Sequence, residues 1–120
     1  MGLGNAISSA VSGLRASGLG VAVTANNVAN ATTAGFVPDQ VTTSSVVTGR
    51  SPTTGDPAGG GVIASVRSAM PLAAASLDQS NVDLAGEFTR LIQAKAAYAQ
   101  SLDLIGASER MLKQRVDETA

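Results

Sequence analysis

The chain has 120 residues, a formal net charge of −1 and a hydrophobic content of 44%, which suits a single domain. Aromatic residues make up only 2%, so each buried position removes little apolar surface from water. The sequence has no Cys and no His, which excludes disulfides and removes the usual transition-metal ligands. No basic cluster is present, so nucleic acid is not an expected partner. We expect one structural unit that needs neighbouring subunits for stability.

The N-terminal segment repeats small and apolar residues by threes and fours from about residue 5 to residue 30, as a packed helical seam does. The larger members of this seam are Ile7, Leu14, Val21 and Val28. Arg15 is the only charged residue before Asp39, so the segment lacks the charged face of a solvent-exposed helix. We predict a helix that other chains cover around most of its circumference.

This helix is predicted to end in an Asn-rich turn. Asn26, Asn27 and Asn30 precede Thr and Gly residues, which bond to local backbone or tolerate positive φ. Two interpretations of the three asparagines are open. Either they satisfy the last carbonyls of their own helix, which we favour, or they form an amide cluster that pairs with neighbouring subunits.

The middle of the chain is predicted to form a short β-hairpin. Residues 40–48 and 61–68 are rich in Val, Ile, Thr and Ser, which strands favour. Residues 49–60 contain four Gly and two Pro with almost nothing to bury, so we expect a flexible surface loop. Pro38 disfavours helical geometry at the preceding residue, and the conformation of residues 70–76 is left open.

The C-terminal segment carries the clearest helical pattern, with three-four spacing over roughly 33 residues, or roughly 50 Å. Its apolar members are Leu84, Phe88, Leu91, Tyr98, Leu102, Ile105, Leu112 and Val116. Two polar residues, Lys95 and Glu109, interrupt this seam. Lys95 either extends to solvent or fixes the register of a subunit contact, and the pattern does not decide between the two.

The ends of the C-terminal helix are also predicted from its sequence. Ser80 or Asn81 can cap its start, with Asp83 and Glu87 near its positive end. The basic residues expected near its negative end are Arg110, Lys113 and Arg115. Asp83 and Glu87 are one turn apart and could hold a cation, but a helix-dipole role is the favoured interpretation.

An enzyme is not expected. Without His or Cys, the common general base and the strongest side-chain nucleophile are both missing. The Gly-rich residues 55–61 lack the Lys-Ser/Thr pair that completes a phosphate-binding loop. We therefore assign no catalytic, metal or cofactor-binding residues. The N-terminus also lacks a cationic region followed by an unbroken apolar stretch, so neither a Sec signal nor a membrane span is expected.

Two segments of the sequence resemble one known family. Residues 12–36 (SGLRASGLGVAVTANNVANATTAGF) closely resemble the N-terminal signature of bacterial flagellar axial proteins of the rod and hook family. Residues 80–105 (SNVDLAGEFTRLIQAKAAYAQSLDLI) resemble the C-terminal signature of the same family. The polar and turn residues that carry these signatures are Asn26, Asn27, Asn30, Gly35, Phe36, Asn81 and Asp83. The short insertion between them is similar to that of the small proximal-rod subunits.

The resemblance implies a mainly α fold, in which long terminal helices form a coiled-coil-like pair around a short hairpin or irregular insertion. The parts would be residues 1–36, 37–79 and 80–120. It implies a structural subunit of the basal-body rod, without cofactors, that is exported by the type III apparatus and assembles with copies of itself and other axial subunits. The alternative is a soluble helical module that binds the export machinery without polymerising.

Overall fold

The computed structural model describes residues 3–47, 60–70 and 75–119. Helix α1 (Leu3–Ala29) is followed by strands β1 (Asp39–Val47) and β2 (Gly60–Ser68) and by helix α2 (Leu84–Thr119). The prediction of a mainly helical chain with a short hairpin between two long helices is confirmed. Residues 49–59 of the predicted flexible loop lie outside the described residues, as do residues 71–74. Gly60, which was predicted to belong to the loop, is instead the first residue of β2.

The two helices pack side by side and run in opposite directions. A Cβ atom placed on Gly13 would lie 3.1 Å from Ser101 Oγ, and one placed on Gly20 would lie 3.4 Å from Ala94 Cβ. Small residues therefore let the two backbones come close together at these points. These contacts are consistent with the predicted coiled-coil-like pairing. At the points of closest approach, however, the facing residues are small and not the large apolar residues of a coiled-coil seam.

The hairpin is antiparallel, with a register from Asp39 opposite Ser68 to Val47 opposite Gly60. A hydrogen bond of 2.8 Å from Ala69 N to Pro38 O extends the ladder by one residue pair. Both strands pack on α1, whereas no Cα atom of the hairpin lies within 8 Å of one in α2 among the described residues. Helix α1 is therefore the central element of the fold.

The core is thin. Within the described part of the chain, the buried hydrophobic side chains are Ala10 and Ala16, with 4% and 8% of their surface exposed. The other buried side chains of this part of the chain are polar or charged, namely Thr24, Asn27, Glu87 and Ser108. Because alanines remove little surface from water, this core stabilises the isolated chain only weakly.

Helix α2 begins later than the sequence predicted. It starts at Leu84, and the backbone N–H of Glu87 donates to the carbonyl of Asp83 at 2.9 Å. Asp83 is therefore the capping residue, and the prediction that Ser80 or Asn81 caps the helix is wrong. The reason is that the side chains of Ser80 and Asn81 bond to other segments, as described below.

The end of helix α2 lies within the predicted segment of residues 80–120. The helix continues to Thr119, and its last turn contains no basic residue. Arg110, Lys113 and Arg115 lie in the turns just before it, near the C-terminal end of the helix but outside its last turn. Glu87 does lie in the first turn, as predicted.

Judged by length and composition alone, helix α1 is long and apolar enough to cross a bilayer, since the mean hydropathy over 18 of its residues is 1.3. Core helices of soluble proteins and signal sequences meet the same criterion. Here α1 packs against both the hairpin and α2. That the chain does not span a membrane remains a prediction.

Candidate functional site

Asn27 joins the end of α1 to the start of β1. Its side chain is fully buried. The Nδ2 group donates to the carbonyl of Asp39 at 2.7 Å, and Oδ1 accepts from the Asp39 N–H at 3.0 Å. A carboxamide has one donor side and one acceptor side, so Asn27 pairs with Asp39 as the backbone of an adjacent strand would.

Asn81 makes a similar two-point pairing in the segment before α2. Its Oδ1 accepts from the N–H of Ser76 at 2.7 Å, and its Nδ2 donates to the Ser76 carbonyl at 3.0 Å. The same Nδ2 and the Asn81 backbone N–H each donate to the carbonyl of Phe36 at 3.0 Å. Asn81 therefore ties the approach to α2 onto the turn that follows α1.

Two further hydrogen bonds connect the same two segments. Ser80 Oγ donates to the carbonyl of Asn30 at 3.0 Å, and the N–H of Gly35 donates to the carbonyl of Gln79 at 3.1 Å. Gly35 has a φ of 71°, a left-handed conformation that glycine adopts without a steric penalty. We call residues 26–39 and 76–83, joined by these bonds, the clasp.

The clasp brings together most of the predicted signature residues, which lie on two segments far apart in the sequence. Asn27, Gly35, Phe36 and Asn81 all take part in bonds that cross the clasp or anchor β1. Asp83, the last residue of the clasp, caps α2. Because these bonds join both helices and the hairpin, the clasp sets the relative placement of the three elements.

The three asparagines of the turn differ in role. Asn30 Nδ2 donates to the carbonyl of Asn26 at 2.9 Å, as expected of a residue that satisfies its own helix end. Asn27 does something that neither interpretation anticipated, because its partner is Asp39 of the same chain. The Asn26 side chain is exposed.

Glu87 is the most enclosed charged group of the site. Its side chain is 1% exposed and its Oε1 pairs with Arg90 one turn later, whereas Oε2 has no hydrogen-bond partner among the described residues. The Arg90 side chain is 45% exposed, so solvent weakens this pair. The sequence identified Glu87 as a dipole partner but gave no signal of its burial.

The predicted interface residues of the helix seams lie at the surface or partly below it. Half-buried members are Ile7, Leu14, Val21, Val28, Leu91 and Ile105, and exposed members are Leu84, Phe88, Tyr98, Leu102 and Leu112. Lys95 and Glu109 are exposed as well. None of these seam side chains forms the buried core of the single chain, and their role at subunit interfaces remains a prediction.

A groove of about 600 Å³ runs between β1 and α2, with α1 beneath it. Its floor contains Gly13, Ala16 and Gly20, and its α2 wall contains Ala94 and Ala97. These small residues leave the groove open. Sequence reasoning treated the glycines only as helix-weakening residues and did not foresee a groove.

Two serines of α1 were also missed. Ser9 Oγ donates to the carbonyl of Gly60, and Ser12 Oγ accepts from the N–H of Val62 at 3.0 Å. They bond to the outer edge of β2 and hold the hairpin on α1. The only sequence signal was that two hydroxyl residues lie one turn apart in an uncharged helix.

Two long helices, joined by a clasp around a small hairpin and with apolar side chains left at the surface, define a mainly helical structural protein. Residues 73–117 match the family model for the C-terminal region of the flagellar basal body rod FlgEFG proteins. A search of curated proteins finds no match. The matched region includes Asn81, Asp83 and nearly all of α2.

The C-terminal segment of the chain is therefore similar to the flagellar basal body rod family, which supports the resemblance predicted from its sequence. The family is structural and not enzymatic. The match supports a structural role related to the rod, a place in the flagellar basal body and assembly with other rod or hook subunits.

Proposed function

We propose that the chain is a structural subunit of the flagellar basal-body rod. After type III export it assembles helically, through its terminal helices, into the hollow axial drive shaft. Its partners are copies of itself and other axial subunits, and it performs no catalysis.

The observation that carries this proposal is the family match of α2 combined with the exposure of apolar side chains along that helix. Phe88, Ile92 and Val116 are 53%, 70% and 63% exposed. Scattered apolar residues are normal on a protein surface, but a long helix that exposes them from its first to its last turns is typical of an interaction surface. Neighbouring subunits would bury these side chains.

Helix α1 supports the same proposal. It is 27 residues long and carries a single charge at Arg15, yet only four of its residues are buried in the single chain. A helix with so little charge on its uncovered side favours contact with protein over contact with water. Assembly would cover that side.

The export route is proposed from the sequence. The thin core would let the chain unfold easily for a narrow export channel. Ordering of the helices would then be completed at the growing end of the rod.

Substitutions in the helix seams test this proposal. We expect Leu14→Asp or Leu91→Asp to abolish incorporation and motility while the subunit stays soluble, because each places a charge in a dry interface between helices. Incorporation is measured by quantifying the chain in purified basal bodies, and motility by swimming in soft agar. Circular dichroism of each purified variant checks that the subunit still folds.

Ile63→Asp is the matched control, because Ile63 is 60% exposed and lies in β2, outside both helices and the clasp. We expect normal incorporation of this variant. Motile cells with normal basal bodies for Leu14→Asp and Leu91→Asp would contradict the proposal. A cytoplasmic, stoichiometric complex with an export component would favour the non-polymerising alternative instead.

A further inference from the structure

Helix α2 carries two rows of side chains with coiled-coil spacing, and α1 covers one of them. On the covered face, a Cβ atom placed on Gly20 would lie 3.4 Å from Ala94 Cβ. The residues of this row recur every three or four positions, as in a coiled-coil seam. We call the row the inner seam, and its buried and half-buried members are Glu87, Leu91, Ala94, Ser101, Ile105 and Ser108.

A second row lies one residue after the inner seam at every step, which places it about 100° further around the helix. Exposed rows with this spacing are surfaces that another helix packs against, so the expected partner is a helix and not a strand or a loop. We call this row the outer seam. Apart from Ala99 and Gly106, its members are all exposed in the single chain, and they are Phe88, Ile92, Lys95, Leu102, Glu109, Lys113 and Val116.

Lys95 and Glu109 introduce opposite charges into the outer seam. They lie fourteen residues apart, so both occupy the same position of the seven-residue repeat. Two parallel α2 helices in register would place each charge against the same charge of the other copy, which is unfavourable. A stagger of two repeats, about 21 Å at a rise of 1.5 Å per residue, instead places Lys95 of one copy opposite Glu109 of the next.

The same stagger pairs the apolar members of the outer seam. It places Phe88 of one copy opposite Leu102 of the next, and Leu102 opposite Val116. All three side chains are exposed in the single chain, so the contact would remove apolar surface from water. Charge complementarity and apolar burial therefore select the same stagger.

The remaining members of the seam are compatible with this stagger as well. Ile92 comes opposite Gly106, so a large side chain meets a residue that has none. Lys113 comes opposite Ala99, along which its aliphatic stem packs while its ammonium group reaches solvent. Within the outer seam, no charge faces a charge of the same sign.

The charged residues that flank the outer seam do not oppose the contact. Asp103, Arg110 and Asp117 each follow a seam residue directly. In parallel coiled coils, residues on this flank of one helix meet residues on the opposite flank of its partner. That opposite flank carries no charge in α2, because it consists of Leu91, Tyr98, Ile105 and Leu112.

We propose that the α2 helices of two neighbouring copies of this chain pack in parallel along their outer seams, with a stagger of two repeats that the Lys95–Glu109 pair sets. A polar pair within an apolar seam fixes the register of helices in this way. The contact joins residues 88–102 of one copy to residues 102–116 of the next. Because these are different surfaces, the contact continues from copy to copy, as a helical assembly requires. This inference rests on the proposed assembly of subunits.

An antiparallel pair of α2 helices is the competing arrangement. Centred on Leu102, it also brings Lys95 near Glu109, but it places Phe88 near Val116. It joins identical surfaces and closes into a dimer that does not extend. The two arrangements therefore differ in which apolar residues meet.

Charge reversal tests the Lys95–Glu109 pair. Lys95→Glu and Glu109→Lys should each lower incorporation into basal bodies roughly tenfold, because like charges then face each other across the interface. The double variant restores opposite charges and should incorporate to within about twofold of the unaltered chain. Glu118→Lys is the matched control, because Glu118 is exposed and lies outside both seams, and it should incorporate normally. A double variant that recovers nothing would overturn the pairing.

Disulfide cross-linking tests direction and stagger together. The chain has no Cys, so a cross-link between copies comes from introduced residues. Basal bodies that contain a Phe88→Cys copy and a Leu102→Cys copy should yield cross-linked dimers on mild oxidation, since disulfides need close Cα atoms. Phe88→Cys with Val116→Cys should not. Cross-linking of the second pair instead of the first, or of neither pair, would overturn the parallel stagger.

The same variants separate this inference from the proposed function. If Lys95→Glu enters basal bodies at the level of the unaltered chain, the pairing is overturned while the rod assignment stands. If the unaltered chain is itself missing from basal bodies, both fall.

Discussion

At the residue scale, Asn27 has the strongest structural role in the clasp. It is fully buried, and its two hydrogen bonds to Asp39 link the end of α1 to the edge of β1. Other side chains of similar size cannot offer a donor and an acceptor in one plane. Asn at this position therefore fixes where the hairpin leaves the helix.

We expect Asn27→Ala to lower the free energy of unfolding by about 2–3 kcal/mol, because two hydrogen bonds are lost and the partners in Asp39 are left without them. Urea denaturation measures the loss, and amide exchange at Asp39 should become faster. Asn26→Ala, at the exposed neighbouring position, should change stability by less than about 0.5 kcal/mol. Equal effects of the two substitutions would show that the clasp bond contributes nothing.

At the scale of elements, the close approach of α1 and α2 depends on glycine. Gly20 faces Ala94, and a Cβ atom placed on Gly20 would lie 3.4 Å from Ala94 Cβ, at contact distance. Glycine weakens an isolated helix by about 1 kcal/mol relative to Ala, and here the cost is offset by closer packing. Gly13 and Gly20 therefore serve the helix pair and not the single helix.

Substitution at Gly20 distinguishes packing from helix propensity. Gly20→Ala should stabilise the chain by up to about 1 kcal/mol, since its Cβ makes an ordinary contact. Gly20→Leu should destabilise it by about 1–3 kcal/mol by forcing the helices apart. Thermal unfolding measures both. Gly4→Leu is the control, because a Cβ on Gly4 meets nothing within 4 Å, and destabilisation of similar size at Gly4 would contradict this account.

The elements themselves were predictable because their signals are local. Three-four spacing and a Val/Thr-rich middle gave both helices and both strands. The start of α2 was not predictable from such signals, because Ser80 and Asn81 are good capping residues that tertiary bonds divert to Asn30 and Phe36. Tertiary contacts decide between equally good local caps, which leaves Asp83 as the cap.

The residues of the clasp were predictable from the sequence, but the hydrogen-bond partners of those residues were not. The signature residues were identified by resemblance, and they do meet in the clasp. That Asn27 would bond to Asp39 depends on the path of the intervening turn, which sequence spacing alone does not define. Similarly, helical spacing shows which residues share a face of the helix, but it does not show whether the chain itself or a neighbouring subunit covers that face. Leu102 and Leu112 could therefore be predicted as seam residues, but their exposure in the single chain could not.

At the scale of the whole molecule, the fold is long and flat. The principal extents are 67 × 30 × 14 Å, and the buried hydrophobic side chains among the described residues are two alanines. A shape with so little interior exposes most of its apolar surface to solvent. Stability would therefore come largely from neighbouring subunits, through mass action on the folded state.

The most direct test of the central claim is cryo-electron microscopy of basal bodies purified from the native organism. The account predicts that this chain is found within the rod, with α1 and α2 forming the inner layer of the axial tube and Phe88, Ile92 and Val116 covered by adjacent subunits. A rod that lacks the chain, with the protein recovered instead as a soluble cytoplasmic complex, would contradict the account.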